Sequence, residues 1–171
     1  ALEHLQICLD EVAHAGAPTQ AALPAMYMAA ILAEKGEFEQ AERLLEQAAD
    51  LTRQAGLDFD AAVCERIRGD VLLRQGQENA ALRAYKLSQA RLHQMEQFEA
   101  AWEARLGVAE TYLARADIAA AELELEQLAD ASLPVGLRWR YHTLVARSAR
   151  TRGCPAQALE SYLHALDQVS A

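Results

Sequence analysis

The stretch GEFEQAERLLEQAADLTRQAG, from Gly36 to Gly56, decides the fold of this 171-residue chain. Gly36 is followed by Ala41, then by Leu45 and Ala48 at helical spacing, which makes one apolar stripe of an amphipathic helix. The same set returns as Gly76, Ala81, Tyr85 and Ser88, as Ala116, Ala121, Leu125 and Leu128, and as Gly153, Ala158, Tyr162 and Ala165. Its first member recurs after 40, 40 and 37 residues. ALEHLQICLDEVAHAG, from Ala1 to Gly16, lies over Ala41 to Gly56 in the same register. Self-similarity at such a period means stacked supersecondary units, each burying a face against the next.

Outward from that stretch, residues 1–16 read as the second helix of an incomplete repeat, ended by Gly16. Four antiparallel helix pairs follow over 17–56, 57–96, 97–133 and 134–171, giving a single all-α solenoid of about nine helices. Pro24 and Pro155 suit first turns of helices, and Asp58 is a candidate N-cap. The loop SLPVG, Ser132 to Gly136, carries the three-residue deletion. Ala116 stands where the other repeats have glycine, so near-helical angles are expected at all four turns. The chain starts in mid-repeat and lacks a polar cap at either end. That predicts a segment of a longer solenoid, with further repeats or an output domain in the same chain. Its exposed ends, including the Tyr162, Leu163 and Leu166 face, would also allow a homodimer.

Composition narrows the function. A chain with 52% hydrophobic and 24% charged residues is not disordered, and its reliance on alanine and leucine favours helices. A net charge of −9 argues against nucleic-acid and anionic-membrane partners and leaves proteins or peptides. The longest uncharged run, Ala13 to Ala33, is broken by Gly16, Pro18 and Pro24, so no membrane span is expected. Cys8, Cys64 and Cys154 form no C-x-x-C pair and the histidines no HExxH, which predicts neither disulfide framework nor metal. Without a glycine-rich phosphate loop or other catalytic motif, the chain reads as a non-enzyme needing no cofactor. No signal-like segment opens it, and a cytoplasmic location is expected.

Glycine or alanine before a short turn, then a small residue, then leucine or tyrosine, resembles the tetratricopeptide repeat. Ala29, Gly69, Ala109 and Ala146 match the small position of that family's first helix. The likeness covers essentially the whole chain, with departures: the period is longer, and the family's first-helix tryptophan and terminal proline positions are unmatched. It implies a right-handed superhelix whose concave groove is lined by first helices. Here those positions include Leu23, Met26, Ala30 and Ala33, then Arg66, Asp70 and Arg74, then Glu103, Leu106 and Glu110, then Arg140, Arg147 and Arg150. The family's lysine and asparagine clamp for chaperone tails is absent from them. The implied function is a scaffold that holds a partner segment in the groove. The long helices are also similar to the solenoids of bacterial maltose-activator-type regulators, which implies an effector- or inhibitor-sensing regulatory domain as the alternative.

RWRYHTLVARSARTR, Arg138 to Arg152, holds five arginines and no acid. Guanidinium groups on one helical face suit a carboxylate or phosphate ligand. They equally suit a helix C-terminus, or internal pairing with Glu122, Glu124, Glu126 and Asp130 of the preceding helix. Trp102 and Trp139 open first helices, where either packing or partner anchoring fits; packing is the expectation, as it is for Tyr27 and Tyr112.

Overall fold

The helical periodicity is realised across the described residues. A computed structural model describes residues 2–14, 18–129 and 133–170. Its α-helices are α1 (Leu2–His14), α2 (Ala22–Glu34), α3 (Phe38–Ala55), α4 (Asp58–Arg74), α5 (Glu78–Gln94), α6 (Phe98–Ala114), α7 (Ile118–Ala129), α8 (Val135–Thr151) and α9 (Pro155–Ser170). A 3-10 turn, Pro18–Ala21, leads into α2, and Pro24 sits in the first turn of that helix. No strand occurs among the described residues. Gly16, and the Ser132 end of the SLPVG loop, lie outside them.

Consecutive helices pack on one another from α1 to α9. The first helices also touch each other, α2 to α4, α4 to α6 and α6 to α8, whereas the second helices do not meet among the described residues. The first-helix layer is therefore the more closely packed one. Small residues make this closeness possible: Ala29, Ala109 and Ala146 are wholly buried at the same register position of the first helices, where Gly69 stands in α4. Met26, Leu45 and Val71 fill the core of the first two pairs, and Leu106, Leu128 and Leu144 that of the last two.

Six helices end in one way. At the end of α2 the Gly36 N–H donates to the Ala33 carbonyl at 3.1 Å and the Glu37 N–H to the Leu32 carbonyl at 2.9 Å, the paired bonds of a Schellman motif. The same pair closes α3, α4, α5, α6 and α8. Its geometry needs a left-handed residue, and the expectation of near-helical angles fails at every turn. Gly36, Gly76 and Gly153 have φ of 81°, 73° and 76°, and Ala116 follows them at 58°. Glu96 also adopts it, at 57°, where the equivalent end of α3 has Gly56 at 66°. Two satisfied carbonyls outweigh the strain of a Cβ in that region. Ala116→Gly and Glu96→Gly should each stabilise the protein by about 0.5–1 kcal/mol, read as a higher urea midpoint at unchanged slope. An unchanged or lower midpoint would show the turns to be unstrained.

Helix starts owe less to side chains. Leu57, not Asp58, holds the N-cap position of α4, without a side-chain cap bond. Asp58 and Asp60 lie in the first turn, where carboxylates complement the positive end of the helix.

Candidate functional site

The inner face of α2, α4, α6 and α8 encloses a groove of about 500 Å³. Ala30 and Ala33 of α2, Leu73 of α4 and Trp139 of α8 give it apolar walls, and Asp70, Tyr85, Glu110 and Arg140 line it with polar groups. At its edge Arg74 meets Glu34 across a loose 3.5 Å ion pair.

Tyr85 of α5 anchors the groove from behind. Its ring is fully buried between Gly69 of α4 and Gly107 of α6, where a Cβ at Gly69 would lie 2.7 Å from ring carbons and one at Gly107 closer still. Only two missing side chains make room for that ring. The hydroxyl donates to Asp70 Oδ1 at 2.6 Å. Burial, reinforced by the Asp70 carboxylate, drives the phenol pKa far above its usual value, so Tyr85 stays a donor.

From Asp70 an ion-pair chain crosses three first helices. Arg66 bonds Asp70 at 3.0 Å and Glu103 at 3.1 Å. Arg140 reaches Glu110 at 3.0 Å and lies 3.9 Å from Asp70, and Arg147 bonds the other Glu110 oxygen at 2.9 Å. Burial pushes the Glu110 carboxyl up, but Arg140 and Arg147 together outweigh it and hold the pKa below the usual carboxylate range. Burial works against the charge on Arg140 too; Asp70 and Glu110 overcome it and raise its pKa. Three guanidinium groups thus meet three carboxylates, and the chain of pairs carries no net charge.

Of the eight residues expected to face a partner, the structure brings Arg66, Asp70, Glu103, Glu110, Arg140 and Arg147 into this one network. Arg74 stands at the groove edge with Glu34, and Arg150 is exposed, making no ion pair among the described residues. Internal pairing of the arginines does occur, with a different principal partner: Glu110 of α6 takes two of them. Within α7, Glu122 bonds Arg152 at 2.9 Å and Ser148 at 2.7 Å, while Glu124 turns to Arg105 of α6 at 3.3 Å. Asp130 lies outside the described residues.

Several positions differ from expectation. Met26 and Leu106 point into the core and are fully buried, so neither lines the groove. Trp139 is 45% exposed on the groove wall, although packing was expected of it; Trp102 does pack, half-buried, on the core of the last two pairs. Tyr27 is 54% exposed rather than buried. Its register equivalents Ile67, Gly107 and Leu144 are buried. Cys64 is buried, its thiol pushed up to about 11 by burial, and is a poor nucleophile; Cys8 and Cys154 are exposed. His142 and His164, from α8 and α9, stack with centroids 5.3 Å apart, a pairing invisible in linear spacing.

Among the described residues no cluster of three or more His, Cys, Asp or Glu could hold a metal, and no helix is long and apolar enough to cross a membrane. No protein-family model matches the chain, and no curated protein matches it significantly. The resemblance to tetratricopeptide proteins is carried by the residue pattern alone.

Proposed function

We propose that this domain is a non-enzymatic interaction scaffold that holds a segment of a protein partner in the groove between α2, α4, α6 and α8. The supporting observation is Trp139: a tryptophan left 45% exposed on the wall of a concave surface, beside apolar Ala30, Ala33 and Leu73. Exposed indoles in concavities are characteristic interface anchors. Contact with acidic groups of the partner falls to Arg150 and the half-exposed Arg147, and at the edge to Arg74. Arg66 and Arg140 serve instead to hold the groove in shape. Right-handed winding and kinship with tetratricopeptide proteins belong to the same reading.

Reversing Arg66, Arg140 and Arg147 together would crowd acids around Glu110 and damage the fold, so it makes a poor test. Trp139→Ala and Arg150→Glu leave the network intact. Immobilised wild-type domain should retain a specific protein from native lysate that the folded Trp139→Ala variant loses and the Arg150→Glu variant holds more weakly. Identical retention by all three, or none by any, would refute a groove-bound partner.

A further inference from the structure

The corner where α5 meets α6 encloses a second cavity of about 330 Å³, lined by His93, Phe98 and Trp102 together with Lys86, Gln89 and Arg105. The corner one repeat earlier, where α3 meets α4, has a cavity that Arg53, Asp58 and Glu65 line at the register positions of His93, Phe98 and Arg105. Glu46 and Ala62 stand there at the positions of Lys86 and Trp102. The two corners share their helix endings. At α5–α6 two acids have become cations, and an acid and an alanine have become aromatic rings. Trp102 also packs on the core of the last two pairs and Arg105 also pairs with Glu124, but packing accounts for neither Lys86 nor the exposed ring of Phe98.

The geometry of the corner is orderly. The His93 and Phe98 rings meet edge to face at 5.4 Å, and Phe98 remains 46% exposed. Lys86 Nζ lies 3.0 Å from the Tyr112 hydroxyl, without a carboxylate partner among the described residues. Arg105 Nε bonds Glu124 at 3.3 Å, and with its amide oxygen turned inward Gln89 accepts from Arg105 at 2.8 and 2.9 Å, which fixes the guanidinium. Phe98 is also the first residue of α6, whose N-terminal amides add positive potential that Glu99 in the same turn offsets in part. A ring surface beside an oriented cation and an uncompensated one is complementary to a flat organic anion.

We propose that the α5–α6 corner binds a small aromatic carboxylate, its ring laid against Phe98 and Trp102 and its carboxylate directed to Lys86 and Arg105. The site is separate from the groove, and its failure would leave the groove reading untouched.

The test uses 4-(trifluoromethyl)benzoate and its neutral benzamide, followed by fluorine NMR against the whole domain. Lys86→Glu and Phe98→Asp place in this corner the residues that the α3–α4 corner already tolerates, and circular dichroism checks their fold. The benzoate should titrate saturably and bind at least tenfold tighter than the benzamide. Each variant should weaken it at least tenfold, and Arg150→Glu should leave it unchanged. An absence of saturable binding, equal binding of acid and amide, or benzoate binding insensitive to both corner variants would each overturn the assignment.

Discussion

One added methyl group at Gly107 should destabilise the protein by about 3 kcal/mol, although alanine is the better helix former. The ring of Tyr85 lies closer to the Gly107 Cβ site than any real Cβ contact allows, and Gly69 blocks its retreat from the other side. Its hydroxyl is tied to Asp70 at 2.6 Å. The clash therefore resolves by moving helices or by breaking that bond. Overpacking a closed core costs about 1–3 kcal/mol, and losing a hydrogen bond to a charged group about 1.5–3 kcal/mol. Helix propensity returns about 1 kcal/mol. Urea denaturation of Gly107→Ala measures the net loss. A double-mutant cycle with Tyr85→Leu assigns it: the pair should be less destabilised than the sum of the singles by more than about 1 kcal/mol. Strict additivity would mean that the ring is not what the methyl group meets.

Gly107 shows where sequence reading stops. Its neighbour in the ladder, Gly69, falls at a position where the repeat demands a small residue, but Gly107 sits two residues before the corresponding Ala109 and reads as an ordinary weak point in a helix. Its meaning lies in Tyr85 of the previous pair. Element order and helix count followed from periodicity, because burying an apolar stripe is a local requirement repeated along the chain. A groove lined by first helices was implied only by the resemblance to the tetratricopeptide repeat. The turns followed from neither. Alanine at Ala116 argued against left-handed geometry, while two backbone hydrogen bonds, which no side chain reports, decided for it. The groove network lay partly within reach. Asp70, Glu110 and Arg147 occupy one register position, and stacked repeats bring such positions together, so opposite charges there could have been paired on paper. Exposure of Trp139 and the contrast between corners required the packed molecule.

Glu110 should be the most consequential charge in the domain. It compensates Arg140 and Arg147 at once, and through Arg140 it ties α6 to α8 while Asp70 links the same arginine to α4. Removing one partner of a buried pair costs about 3–5 kcal/mol; with the Glu110 side chain 28% exposed, water offsets part of this. Glu110→Ala should therefore lose about 2–3 kcal/mol, and Glu110→Gln, which keeps the shape and one acceptor, less. The pH dependence carries the signature. A carboxyl whose folded pKa lies below its unfolded value of about 4.3 contributes stability that is fully present above the unfolded value. That stability is lost as pH falls through the folded one. Denaturation midpoints of wild type and Glu110→Gln should stand well apart at neutral pH and converge on acidification below about pH 4. Curves that stay parallel to the acid limit would show that the pairs contribute nothing to folding. Convergence would mean that the spacing of α4, α6 and α8, and with it the width of the groove, is set by charge pairing as well as by the alanine rows beneath it.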